Sequence, residues 1–359
     1  MSTDGPDRTL GRDAIERMVD EIRPGWTVTD ATLADDGHTS VYVLSVATAD
    51  GAREVVLKAT PDGQPRGIGM EARLLTALSA RTSIPVPAVH GAVETHDDLR
   101  APFFLMEAVE GADLSFEETP ALSDDALERT ARETGRYLAQ LHALDAVDVF
   151  GQVTVASQTP GGDRPAANLD ALAVWEPSDS WPERLGAWVA DHLDVLAGSR
   201  FDDMVPALDD HLSRAVDSLS GPFTPVLGRV DHGVHNLLLD AETGEIEAVL
   251  DWAFTLAVPA AYDLSCVEYV LGGSLLTPLP DAPDRQDLVR EGLCAGYRAE
   301  AGALPDRYRE HRQVYQLLSR VLSMAHVAGD IAQVSDEHYD AVAAALRRDA
   351  EGAMDGRRL

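Results

Sequence analysis

Of the 29 basic residues in this 359-residue chain, one is a lysine, Lys58; the other 28 are arginines. Lysine scarcity reflects codon usage and surface chemistry and assigns no function. It makes the survivor informative all the same, since a generic surface lysine is readily replaced by arginine. A Walker-A loop needs Gly-Lys followed by Ser or Thr. Lys58 follows Leu57 and precedes Ala59, so that loop is excluded, and Schiff-base chemistry would have to use this same residue. Cysteine is nearly absent as well. Cys266 and Cys294 stand 28 positions apart among apolar neighbours and form no CxxC pair, which predicts two buried free thiols rather than zinc ligands. No stretch approaches the roughly 18 apolar residues of a membrane span, and the opening MSTDGPDRTLGRD lacks the apolar core of a secretion signal. A cytoplasmic protein without a membrane partner is expected.

Positive charge is the other deficit. Against 61 acids the 29 bases leave a net charge of −32, which argues against a nucleic-acid partner, because phosphate-backbone binding needs clustered cations. The acids are spread along the chain rather than massed in a tail. Such a surface stays hydrated at high salt, where screening suppresses self-repulsion, and a halophilic origin is the expectation.

The first hundred residues read as mixed, with strands prominent. TSVYVLSVATA (39–49), the turn signal Asp50-Gly51 and REVVLKAT (53–60) predict a β-hairpin. The Gly-rich PDGQPRGIG precedes a helix, MEARLLTALSA (70–80); its GIG is too short for a dinucleotide fingerprint and reads as an ordinary loop. SIPVPAVHGAVE (83–94) is Pro-punctuated, extended and placed at a sheet edge, and APFFLMEAVEG (101–111) is a buried strand running into a turn. Beyond that point helices dominate. SDDALERTARETGRYLAQLHAL (123–144) starts at an N-cap, Ser123, with two acids in its first turn. Helical stretches rich in Trp and Leu run to about residue 220, and residues 290–350 are mostly helix. NLLLDAETGEIEAVLDW (236–252) is a second hairpin, around ETGE.

RVDHGVHNLLLD (229–240) crowds Asp231, His232, His235 and Asn236 into six positions. Either the histidines hold a metal, or the aspartate and asparagine form a catalytic loop. The hairpin that follows turns near residues 242 and 243, so Asn236 and Asp251 lie six to nine positions from it on opposite sides. Antiparallel pairing would bring both toward its open end. An amide oxygen and a carboxylate there suit Mg²⁺ better than zinc, and Asp231 is a loop's reach away. Two histidines three apart on a loop, with no HExxH helix, make weak zinc ligands.

In VVLKAT the strand alternation puts Lys58 on the face of Val56. Burying an ammonium costs several kcal/mol unless it is paired. Glu71 shares a helix stripe with Leu74, Leu75 and Leu78, so both charges are expected to face inward as an ion pair that holds the lysine over a bound anion.

A strand lysine, a helix glutamate, D-x-x-x-x-N and an aspartate after a short hairpin together resemble the protein-kinase-like fold. More closely, they resemble the aminoglycoside phosphotransferase family of small-molecule kinases. The likeness extends to LAQLH (138–142), GEIEAVLDW (244–252) and PAAYDLS (259–265), over about residues 25 to 330. It implies an α+β, two-lobed protein with a small strand-rich N-terminal lobe (1–108, with 1–12 flexible) and a larger helical lobe (109–359). By that resemblance Asp231 would be the catalytic base, or orient the substrate hydroxyl, and Asn236 and Asp251 would bind Mg²⁺. Lys58 would hold the nucleotide phosphates and Glu71 would fix Lys58. The loop 35–42, with Gly37, Thr39 and Ser40, would cover the phosphates, Glu107 to Val109 would offer backbone groups to adenine, and Asp263 would be a structural acid. ATP, or GTP in its place, would be the donor, a small-molecule hydroxyl the acceptor, and the protein a monomer or homodimer. The family usually carries His-Gly-Asp where Arg229-Val230-Asp231 stands, and the His-Pro pair after the aspartate is absent. The ungapped alignment keeps the Asp-to-Asn distance and makes His232 and His235 loop residues. A nucleotide-binding pseudokinase with a regulatory role is the competing reading.

Overall fold

The computed structural model describes residues 8–34, 39–65, 67–115, 118–156, 165, 167–273, 284–329 and 336–355. The chain forms two units, the first from residues 1–111, 153–175 and 247–255, the second from 112–152, 176–246 and 256–359.

In the first unit, the apolar alternation in residues 40–59 produces the predicted hairpin. Strands β2 (Ser40–Thr48) and β3 (Gly51–Ala59) pair antiparallel from Ser40–Ala59 to Thr48–Gly51. Gly51 sits at φ 121°, a backbone region that favours glycine. With β1 (Thr27–Leu33), β4 (Val89–Val93) and β5 (Phe103–Glu107) they make a five-stranded antiparallel sheet in the order β1-β2-β3-β5-β4. The Pro-punctuated segment therefore lies at an edge, as expected, and β3 is central. Val55, Leu57 and Ala59 point to one face, where Ile15, Met18, Val19 and Ile22 of α1 (Arg12–Ile22) cover them. Each such buried side chain contributes about 1.5–3 kcal/mol. Lys58 points to the other face, toward α2 (Ile68–Arg81), whose Glu71, Leu74, Leu75 and Leu78 are all buried as the stripe predicts. Of the expected flexible stretch 1–12, residues 1–7 lie outside the described residues; Leu10 is buried and its N–H donates to the Tyr42 hydroxyl at 2.7 Å.

In the second unit, the short β6 (Ala112–Asp113) precedes α3 (Asp124–His142), which opens at Ser123 as expected: the serine side chain accepts from Ala126 N–H at 3.1 Å. Two strands not anticipated, β7 (Phe150–Val155) and β8 (Leu172–Ser178), whose residues 153–155 and 172–175 are counted in the first unit, lead to α4 (Trp181–Leu196) and α5 (Val205–Ser218). β9 (Pro225–Gly228) ends at the 229–236 loop, β10 (Leu237–Leu239) pairs antiparallel with β6, and β11 (Ile246–Val249) follows, with residues 247–249 counted in the first unit. The turn between β10 and β11 is closed by Asp240 N–H to Glu245 O at 3.0 Å and Gly244 N–H to Asp240 O at 2.8 Å. β12 (Leu256–Pro259) pairs with β9 and runs directly into α6 (Ala260–Leu271). The rest is helical: α7 (Gln286–Ala301), α8 (Tyr308–Gly329) and α9 (Asp336–Met354). Helices α3 and α7 approach at backbone distance. A Cβ on Gly135 would lie 2.1 Å from the Leu293 carbonyl, and one on Gly296 1.9 Å from that of Arg132. Trp181 is a core residue, edge-on to Tyr262 at 4.8 Å and donating to the Tyr315 hydroxyl at 3.1 Å. Trp188 is half-buried and Trp175 is exposed. Cys266 and Cys294 are buried free thiols; burial pushes Cys266 up to about 12, which keeps it an inert thiol.

Candidate active site

A compact charged cluster lies in the first unit. Lys58 Nζ lies 2.7 Å from Glu71 Oε2 and 2.9 Å from Asp251 Oδ1, with the lysine side chain 8% exposed. Central-strand placement fixes the ammonium: β3 is bonded on both sides, with Lys58 opposite Val41 on β2 and Phe104 on β5. Burial alone would lower the lysine pKa. Glu71 and Asp251 outweigh that and raise it, so Lys58 is a permanent cation. Glu71 has a second role. Its Oε1 accepts the Trp252 N–H at 3.1 Å, while the Trp252 indole N–H donates to Val249 O at 3.0 Å. One carboxylate thus ties both Lys58 and the backbone beside Asp251 to α2. Asp251 itself adopts φ 52°, a left-handed conformation that Asp tolerates better than most side chains, and its side chain is 53% exposed. Two carboxylates around one ammonium leave an excess negative charge, which favours a further cation.

The second unit holds the 229–236 loop. Asn236 Nδ2 donates to the Asp231 carbonyl at 2.8 Å and lies 3.4 Å from Asp231 Oδ2. This fixes the amide nitrogen against the loop backbone. The Asp231 side chain stays 47% exposed. His235 Nε2 approaches Asp231 Oδ1 at 3.3 Å. His232 is buried with Nε2 3.1 Å from the Thr134 hydroxyl of α3; burial first, then the neighbouring Arg229 and His235, hold its pKa well below the ordinary histidine value. The loop backbone is anchored from behind. Arg229 N–H donates to Asp263 Oδ1 at 2.6 Å, Asp263 Oδ2 meets His142 Nε2 at 2.8 Å, and His142 Nδ1 meets the Tyr297 hydroxyl at 3.0 Å. Asp263 is wholly buried and touches only structural partners in these bonds, in keeping with a structural acid. Thr134, Tyr297 and Trp252 were not singled out in the sequence. The only signal for the first two was their place on helices whose glycines demand close packing.

Among the described residues, no group of three or more His, Cys, Asp or Glu side chains is arranged to hold a metal ion. The histidines of the loop face a hydroxyl, a carboxylate and an amide. Of the loop expected to cover the phosphates, Gly37 lies outside the described residues, Thr39 is half-buried, and Ser40 is buried with its hydroxyl donating to Arg8 O at 2.6 Å. Glu107 ends β5 and its N–H donates to Ala88 O at 2.9 Å; Val109 follows, half-buried and outside any strand. No helix among the described residues is long and apolar enough to cross a membrane.

The comparisons with known proteins agree on a family. A profile of the phosphotransferase enzyme family matches residues 32–311. Mouse acyl-CoA dehydrogenase family member 10 is 25% identical over 247 residues, which is 67% of this chain and 20% of that protein. The chain spans about a fifth to just over a quarter of the curated relatives it matches. Among solved structures, a candidate aminoglycoside phosphotransferase of Ralstonia eutropha superposes with a TM-score of 0.66 at 17% identity, covering 97% of this chain and 98% of that one. A thermostable mutant of aminoglycoside phosphotransferase APH(4)-Ia, in ternary complex with AMP-PNP and hygromycin B, gives 0.58 at 16% identity, covering 95% and 98%. At these identities the structures establish a shared α+β fold. With its profile matching well over half of the sequence, the chain belongs to the phosphotransferase enzyme family.

Proposed function

We propose that the chain moves the γ-phosphoryl group of ATP to a hydroxyl of a small molecule, with Asp231 as the base. The observation that carries this reading is the chain's sole lysine, buried between Glu71 and Asp251 at 2.7 and 2.9 Å. So expensive an arrangement is of use where an anion of high charge must be met by a fixed cation. Lys58 would contact the nucleotide phosphates and Glu71 would hold its ammonium in place. Asp231, half exposed, would orient the acceptor hydroxyl and take its proton as the oxygen attacks phosphorus and the bond to ADP breaks in line. By the family resemblance Asn236 and Asp251 would supply an amide oxygen and a carboxylate, hard donors of the kind Mg²⁺ takes. Bound there, the ion would neutralise phosphate charge. The loop 35–42, with Gly37, Thr39 and Ser40, and residues Glu107 to Val109 remain the proposed borders of the phosphates and the adenine.

The test is ADP release with Mg-ATP or Mg-GTP against an acceptor panel. Aminosugars belong in it because of the hygromycin B complex, and hydroxyacyl thioesters because the mouse relative is named for acyl-CoA dehydrogenation. Release with one acceptor class, abolished in Asp231→Asn, supports the reading. Mg-ATP binding with no release against any acceptor would favour a regulatory nucleotide-binding protein, a reading that Arg229-Val230 before the aspartate keeps in play. We also assign the chain to a cytoplasm of high salt, from its net charge of −32; its unfolding midpoint is expected to rise from dilute buffer to molar KCl, and an unchanged midpoint would contradict that.

A further inference from the structure

Gly233 stands in the 229–236 loop at φ −108°, a conformation open to any residue, so its backbone does not demand glycine. Space does. A Cβ there would lie 2.5 Å from His235 Nδ1 and 2.6 Å from its Cε1, which means that the imidazole is folded back over residue 233. Folded this way, the ring brings Nε2 to 3.3 Å from Asp231 Oδ1 and 3.0 Å from Asn236 Nδ2. Asn236 Nδ2 in turn lies 3.4 Å from Asp231 Oδ2. The three side chains close a triangle in which each carboxylate oxygen of Asp231 faces one polar nitrogen. An aspartate side chain that is 47% exposed would otherwise move among its rotamers.

We propose that His235 is a positioning residue, folded over Gly233, that holds the Asp231 carboxylate and the Asn236 amide in one mutual arrangement. The inference rests on the reading of Asp231 as the base. One nitrogen cannot at once donate to the carboxylate and accept from the amide. Either bond ties the ring to a side chain of the proposed chemistry, and a glutamine, carrying both a donor and an acceptor, can reproduce either. Gly233 acts through His235, by leaving the room that its ring occupies.

The test uses the full chain with the acceptor found in the ADP-release panel. His235→Ala and His235→Phe are expected to lower kcat by about 10- to 100-fold and to raise KM for Mg-ATP by a smaller factor, since Lys58 and Asp251 are untouched while the Asn236 amide loses its support. His235→Gln should recover most of the loss. Gly233→Ala should reproduce the defect by displacing the ring; its Cβ also meets Val270 Cγ1 at 2.9 Å, so only the part due to the ring should vanish in the His235→Ala background. In the Asp231→Asn background the His235 substitution should cost clearly less than it does in the parent, whereas a merely structural residue would depress the residual rate by the same factor. His235→Phe keeps the ring volume, so it isolates the nitrogen if the alanine variant fails to fold. Parental kcat in His235→Phe alongside an inactive Asp231→Asn overturns the inference and leaves the base assignment standing. Parental turnover in Asp231→Asn overturns the base assignment itself.

Discussion

Lys58 and Asp231 are the charged centres of the two units, and they are fixed by opposite means. Lys58 is 8% exposed and held by two full negative charges; Asp231 is 47% exposed and held by an amide and an imidazole. A buried charge must be neutralised where it stands, so its partners serve stability and function together. A half-exposed charge keeps its hydration, and dipoles suffice to aim it. Damage at the first centre should therefore unfold the protein, while damage at the second should stop chemistry in an intact one.

The largest expected effect is at the buried centre. Lys58→Met leaves the Glu71 carboxyl buried without its cation and should lower stability by about 3–5 kcal/mol, read by denaturant titration in high salt. Parental stability would show that the pair is dispensable and break the comparison. Gly135→Ala asks whether the second unit is simply tolerant. Its new Cβ meets the Leu293 carbonyl at 2.1 Å, so α3 and α7 must part, at about 1–3 kcal/mol. A smaller effect depends on pH. The pKa of His232 is depressed in the folded protein, chiefly by burial, below an unfolded value near 6.5. The unfolded chain therefore binds the extra proton first. The contribution of His232 is fully present above about pH 6.5 and declines as pH falls toward the folded pKa, by up to about 1.4 kcal/mol per pH unit. His232→Gln should flatten that part of the acid limb relative to the parent, and an identical limb would show that the ring is not buried neutral. Least of all, Asp231→Asn should change stability by no more than about 0.5 kcal/mol, even as it cuts kcat by about 10²- to 10⁴-fold.

The same contrast governs what could be read from the sequence. Lys58 and Glu71 were legible because a lone lysine in an apolar strand needs an inward partner, and a helix stripe offered one thirteen residues on. The β2–β3 hairpin and the Ser123 cap were legible from local chemistry: strand alternation, an Asp-Gly turn and a serine before two acids. Helix α1 was passed over although Ile15, Met18, Val19 and Ile22 carry a helical period. The strands β6 to β9 were not visible. They are two to seven residues long, and their patterns are set by neighbours distant in sequence. The support behind the 229–236 loop was invisible for the same reason: Arg229 and Asp263 are 34 positions apart, His142 and Asp263 121. The reading of His232 and His235 as loop residues described their location but not their contacts with Thr134, Asp231 and Asn236.

The division of labour between the two centres is tested most directly by calorimetric titration of Mg-ATP into Asp251→Asn and Asp231→Asn. Asparagine tolerates φ 52° as aspartate does, so the first variant loses charge without backbone strain. Loss of Mg-ATP binding in Asp251→Asn, with binding near parental in Asp231→Asn, is the predicted result. Equal affinity in both variants and the parent would contradict it.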